Sequence, residues 1–171
     1  MEKKKRGIPL QGKNEYVIKG DLAFVKLTNR EQIMICDADL WEKYKAHSWS
    51  DRNGYAGAMQ NNKTLFFHKL VKQCPDGYVV DHINRNTYDN RRENLRVTTP
   101  YVNLLNTGVY KNNKCGHKGI KKRKKGYEVQ ITVNKKEMYL GYYHSLDEAI
   151  AVRKQAEEKY HNPIIEKETL F

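Results

Sequence analysis

Cysteine, proline and long apolar runs are all scarce in this chain, and each scarcity removes a class of protein. The only cysteines are Cys36, Cys74 and Cys115, far apart in 171 residues and with no CxxC pair. Neither a disulfide framework nor a zinc ribbon is supported by that spacing. Cys115 and His117 are close, but two ligands are too few for a structural zinc site. Scattered thiols suit a reducing compartment. No apolar run approaches the ~18 residues that a membrane helix needs. The Lys-rich N-terminus has no apolar core of a signal peptide. A cytoplasmic location is expected, with no membrane role. Hydrophobic residues make up 39% and the mean hydropathy is −0.89. A core built from so little is modest, so small folded units are expected.

Acidic residues are also outnumbered. There are 20 Asp and Glu against 32 Lys and Arg, a formal net charge of +12 with a pI near 9.5. Residues 111–136 hold ten bases (Lys111, Lys114, Lys118, Lys121, Lys122, Arg123, Lys124, Lys125, Lys135, Lys136) against one acid, Glu128. A flexible tail would need no apolar pattern. Here the block is interleaved with an alternating one, so its chemistry points to neutralising phosphate.

Periodicity divides the chain. Residues 1–15 read as a basic disordered arm, and 16–63 as a β-rich accessory region. Within it, Tyr16–Ile18 and Ala23–Leu27 flank a Lys19-Gly20-Asp21 turn, Asp39–Trp49 reads as a helix, and Asn61-Asn62 joins a hairpin. Trp41, Trp49 and Tyr55 read as packing residues. From 64 to 107 the expected order is a helical turn at His68–Gln73, a strand at 78–83, a polar loop, a strand at 95–98 and a helix to about Asn106. Thr99-Pro100 opens that helix as cap and first residue. Residues 108–116 read as a linker.

In the last module, 117–162, Tyr127, Val129, Ile131 and Val133 alternate with Glu128, Gln130 and Thr132, the mark of a half-buried strand. Asn134-Lys135 is a candidate tight turn. Met138, Leu140 and Tyr142 are placed on the core side of the next strand. Ser145 and Glu148 form a capping box before a helix whose inner face carries Leu146, Ala149, Ile150, Arg153, Ala156 and Tyr160. Asn162-Pro163 is expected to end it, leaving 163–171 as a tail. The fold class is therefore α+β: small antiparallel sheets with a few helices.

The chemistry lies in Asp81, His82 and Asn103. A carboxylate and an amide oxygen suit a hard divalent cation that keeps several waters. A neutral imidazole can take a proton from an attacking water. An Asp-His pair alone says little. Its surroundings say more: Gly77-Tyr-Val-Val-Asp81-His82-Ile-Asn84, then Asp89-Asn90-Arg91-Arg92-Glu93-Asn94-Leu95-Arg96-Val97-Thr98, then Asn103. This run resembles the HNH homing-endonuclease family of phage and mobile elements. The resemblance implies a ββα-metal unit acting on double-stranded DNA with one Mg²⁺ or Mn²⁺. It implies Asp81 and Asn103 as metal ligands, His82 as general base and Asn94 as a brace of the loop. His68 matches a His that precedes the motif; it either contacts the scissile phosphate or packs. Arg91, Arg92 and Arg96 are candidate phosphate contacts or plain surface charge. Arg85 stands where that family often has Gly.

His117-Lys118-Gly119-Ile120, the alternating strand, Tyr139-Leu140-Gly141 and the Ser145-capped helix resemble an AP2 DNA-binding domain. That resemblance implies a wet sheet face in the major groove, with Lys118, Lys121, Arg123, Gln130, Thr132 and Tyr139 toward DNA. Lys replaces the family's Arg at several points, which favours phosphate grip over base readout. The expected function is a metal-dependent DNA endonuclease targeted by this module, in a bacterial or phage-infected cell, with no obligate protein partner. The rival is a non-catalytic DNA-binding regulator. An RNA-binding role is weaker, because paired stacking aromatics are missing.

Overall fold

A computed structural model describes residues 14–109 and 113–170. The arm at 1–13 and Lys111 lie outside the described residues. The chain divides into two compact units, 1–100 with 170–171, and 101–169. No described helix is long and apolar enough to cross a membrane, and all three cysteines are free.

The first unit contains three small antiparallel sheets. Strands β1 (Tyr16–Lys19), β2 (Leu22–Lys26) and β3 (Ile33–Asp37) form a meander. Helix α1 (Ala38–Tyr44) follows, shorter than the expected Asp39–Trp49. Strands β4 (Ser50–Arg52), β5 (Tyr55–Gln60) and β6 (Lys63–Phe66) form the second sheet. The β5–β6 hairpin turns on Asn61 and Asn62, both left-handed at φ 49° and 60°. Asn tolerates that region and so makes the two-residue turn cheap. Helix α2 (Phe67–Val71) leads to β7 (Val79–His82) and β8 (Leu95–Thr98), which pair with Asp81 opposite Arg96 and His82 opposite Leu95.

One core serves this whole unit. Val25, Leu27, Met34, Trp41, Trp49, Ala58 and Phe67 are all buried in it, with Leu70 and Tyr88 packed alongside. Trp49 meets Phe67 edge-on, ring centres 4.8 Å apart. Residues 16–63 share a core with the segment that carries Asp81 and His82, because neither could bury enough apolar surface alone. Asn14, expected in the disordered arm, is buried instead. Its amide donates to the carbonyls of Lys26 (2.7 Å) and Trp49 (2.6 Å) and accepts from the Trp49 N–H (2.8 Å).

The second unit opens with most of helix α3 (Pro100–Leu105). Strands β9 (Ile120–Arg123), β10 (Gly126–Val133) and β11 (Lys136–Tyr143) form an antiparallel sheet ordered β11-β10-β9. The β10–β11 hairpin turns at Asn134 and Lys135 as expected, both left-handed. The helix α4 (Leu146–Tyr160) packs Ala149, with Leu146 and Ile150, on Ile120 and Val129. Ser145 caps it, its hydroxyl accepting from the Asp147 N–H at 3.2 Å.

Two expectations here are corrected. In β11 the register shifts between Val129 and Gln130, so that Leu140 is an extra residue between Gly141, opposite Val129, and Tyr139, opposite Gln130. A bulge of this kind breaks the two-residue alternation. Tyr142 therefore falls on the wet side, 41% exposed and opposite Glu128, while Tyr143 joins Leu140 against the core. Met138 lies opposite the buried Ile131, on the core side as expected, and its place on the edge strand leaves it 37% exposed. The segment taken as a tail also begins with helix α5 (Asn162–Glu168), with Pro163 in its first turn. Proline there needs no N–H and starts a helix as readily as it ends one.

Candidate active site and candidate nucleic-acid interface

Asp81 and His82 close strand β7, and the loop that follows is held from several directions. Its Asn90 N–H donates to the Ile35 carbonyl (2.7 Å), and the Ile35 N–H donates to Tyr88 O (2.8 Å), so the loop pairs with β3. Thr87 Oγ1 donates to Gly54 O at 2.5 Å and Tyr88 Oη to Asp51 Oδ1 at 3.3 Å. Within the loop, Asn94 is buried and works at both ends. Its Nδ2 donates to Asp89 O (2.7 Å), and its Oδ1 accepts from the Asn84 N–H (3.0 Å). Asn84 Nδ2 donates to Asp89 Oδ2 at 2.8 Å. This is why the segment is dense in Asn: short amides satisfy a backbone that has no ladder. Asn94→Ala would leave two backbone groups unpartnered, one of them buried. A loss on the order of 2–4 kcal/mol is expected in urea unfolding.

The loop encloses the imidazole. His82 is only 4% exposed, and its Nε2 lies 3.2 Å from Asn90 Oδ1. Burial lowers the His82 pKa against the opposing pull of Asn90, Asp81 and Asp89. The ring is therefore neutral at neutral pH, the form a general base needs. Asn90 was not foreseen as a partner of His82. Its place in the Asp89-Asn90 pair was the signal, but sequence could not say which amide turns inward.

His68, the second residue of α2, is buried beside His82, ring centres 5.3 Å apart. It also stacks on Phe66 at 5.8 Å and faces Tyr55 at 5.3 Å. Its Nδ1 is buried without a hydrogen-bond partner among the described residues. Burial first, then the nearby His82 and Lys69, lower its pKa to about 4. Between its ordinary pKa of about 6.5 and about 4, the unfolded chain binds a proton that the folded chain refuses. Stability should fall as pH drops through that window, by on the order of 3 kcal/mol, and the His68 contribution should level off below it. Urea midpoints measured from pH 7 to pH 4 should show this fall, and His68→Gln should flatten it.

Asp81 is 6% exposed and its Oδ2 accepts from Arg96 Nε at 2.9 Å and Nη2 at 2.8 Å. Arg91 grips Asp89 with Nε (2.8 Å) and Nη2 (2.7 Å) and also pairs with Glu93. Arg92 clasps Asp39 through Nη1 (2.8 Å) and Nη2 (2.5 Å). Carboxylates of the same unit thus engage all three arginines that were candidate phosphate contacts. Asn103 is exposed on α3. No cluster of three or more His, Cys, Asp or Glu suited to a metal occurs among the described residues. Asp81, in the first unit, and Asn103, in the second, each carry oxygen donors, the type a hard cation takes.

Residues 72–105 match the HNH endonuclease family. The matched segment holds Asp81, His82, Asn90, Asn94 and Asn103. An uncharacterised HNH endonuclease of Acanthamoeba polyphaga mimivirus is 28% identical over 123 residues, 68% of this chain. The chain spans 58% of that relative's length. No solved structure matches.

Outside the HNH segment, the second unit presents the candidate interface. Lys121, Arg123, Gln130, Thr132 and Tyr139 share the sheet face opposite α4, and Tyr139 is 66% exposed. Lys118 does not join them. Its Nζ donates to the carbonyls of Leu105 (2.8 Å), Thr107 (3.2 Å) and Leu104 (3.3 Å), where it satisfies the C-terminal end of α3. Two acids lie on this face as well. Glu128 accepts from Arg123 Nε at 2.8 Å, and Glu137 accepts from Gln130 Nε2 at 2.5 Å. Lys121 Nζ donates to Gln130 Oε1 at 2.7 Å. The Gln130 amide is thereby oriented from both ends. The polar alternation of β10 had signalled Glu128. Glu137 came to this face through the register of β11.

Proposed function

We propose that this protein is a metal-dependent DNA endonuclease. The single observation that carries the reading is the buried, neutral His82 whose Nε2 is held by Asn90, inside a segment that matches the HNH endonuclease family. His82 takes the proton of the attacking water as general base. Asn90 fixes the ring plane, and Asn94 fixes the loop that carries Asn90. Asp81 would hold one divalent ion, Mg²⁺ or Mn²⁺. When bound, that ion supplies charge stabilisation for the phosphorane-like transition state and the departing oxygen. Arg96 sets the Asp81 carboxylate in place through two hydrogen bonds.

The substrate is double-stranded DNA. The support is the net charge of +12, most of it in residues 111–136, and the wet sheet face of the second unit. That face is read as an AP2-like targeting surface, in which Lys121, Arg123, Gln130, Thr132 and Tyr139 meet the duplex. The phage or mobile-element setting is part of the same reading. The test is plasmid relaxation. Supercoiled DNA with Mg²⁺ or Mn²⁺ should be nicked or linearised, and EDTA should stop it. Protein that binds duplex and never cuts it with any divalent ion would instead be a DNA-binding regulator.

A further inference from the structure

We infer that Arg85 is a phosphate-binding residue at the rim of the candidate active site; this rests on the reading of the protein as a DNA enzyme. Three observations meet at this position. The first is backbone conformation. Arg85 sits at φ 65°, in the left-handed region. The turn that places it is closed by the Arg85 N–H donating to His82 O at 2.8 Å. A left-handed residue closing such a turn is ordinarily Gly, and a long side chain there costs about 1 kcal/mol. The other described non-Gly residues with positive φ are Asn53, Asn61, Asn62, Asn134 and Lys135. Four of those five are Asn, which tolerates the region. Arg85 is the case beside His82.

The second is charge. Among the described residues of the first unit, Arg30, Arg52, Arg91, Arg92 and Arg96 each bond to a side chain of that unit. No described residue pairs with the Arg85 guanidinium, which is exposed. The arginines expected on phosphate are engaged by carboxylates, and this one is not. The third is rigidity. Asn84 is fixed through its N–H to Asn94 Oδ1 and through Nδ2 to Asp89, and Asn84 Oδ1 accepts from the Asn86 N–H at 2.8 Å. The backbone on both sides of Arg85 is therefore held, three residues from the general base. A guanidinium offered from a rigid turn loses less entropy on meeting a phosphate than one on a mobile loop. Strain retained at a functional rim without an internal partner is accounted for by an external one.

The test is duplex binding in EDTA, with a short mixed-sequence duplex over a range of KCl concentrations, for the full chain and for Arg85→Gly and Arg85→Lys. Arg85→Gly relieves the backbone strain, so its Tm should not fall. Its affinity should weaken by roughly tenfold, and the slope of log K against log salt should shrink by about 0.9, the value of one phosphate contact. Arg85→Lys keeps the strain and the charge, and should restore the slope. Affinity and slope in Arg85→Gly equal to the parent's would overturn the inference, as would a Lys variant with the slope of the Gly variant. A loss confined to A·T-rich duplexes would also overturn it, because phosphate contacts carry no sequence preference. A parent chain that binds no duplex at all sinks the enzyme reading itself, and this inference with it.

Discussion

His82→Ala should reduce plasmid cleavage by roughly 10²–10⁴-fold, the range for loss of a positioned general base. Duplex affinity measured in EDTA should stay within about twofold. At 4% exposure His82 has little surface to offer a phosphate, so its loss subtracts little from binding. Its chemistry is a different matter. Burial lowers its pKa and keeps the ring unprotonated at neutral pH, and Asn90 Oδ1 lies 3.2 Å from its Nε2. Alanine removes the proton acceptor and leaves Asn90 facing a void. Asn90→Ala should slow cleavage less, since the imidazole remains and only its orientation is released. A single-turnover rate unchanged in His82→Ala would remove His82 from the mechanism, whatever the binding data show.

Gly119→Ala should unfold the second unit under conditions where the parent is stable, with a loss of about 3 kcal/mol or more. For a unit of this size, that is a fall in Tm of roughly 10 °C or more. Gly119 sits at φ 74°, and a Cβ there would lie 2.4 Å from Arg153 Nε and 2.4 Å from the Gln130 carbonyl oxygen. Neither neighbour can yield cheaply. The Gln130 carbonyl belongs to the central strand, and the Gln130 N–H donates back to Gly119 O at 2.8 Å. Arg153 is 6% exposed and tethered to Glu157 at 3.0 Å, with Nε and Nη1 already lacking partners. Shortening Arg153 in the same chain should not rescue the variant, because the backbone clash remains. A double variant Gly119→Ala/Arg153→Ala as stable as the parent would show that the strand gives way and the argument is wrong. Since the basic face depends on this sheet, duplex affinity should fall along with Tm.

Much of this architecture was legible before any coordinates. The alternation in β10, the Asn61-Asn62 hairpin, the Asn134-Lys135 turn and the Ser145 cap are local signals, and each element appears where its signal stood. Asn94 was read as a brace of the loop, and it bonds at both ends of it. The bulge at Leu140 turned Tyr142 outward, a change of one residue that no alternation pattern announces. Arg91, Arg92 and Arg96, candidate phosphate contacts or plain surface charge, pair with carboxylates, and Lys118 meets the end of a helix. Residue type tells what a cation can bind, and only the fold tells what reaches it first.

Residue order alone determined the chemical vocabulary of this protein: a basic surface, a short acid-imidazole-amide run, and elements whose periods are written in neighbouring residues. Those properties depend on contacts a few positions apart, so the chain carries them wherever it goes. The folded molecule decided which amide turns toward His82, which cations are quenched by acids as distant in sequence as Asp39 from Arg92, and that Arg85 alone among the described arginines of its unit keeps an open charge. Such pairings join residues far apart along the chain, and their outcome is set by packing and competition in three dimensions.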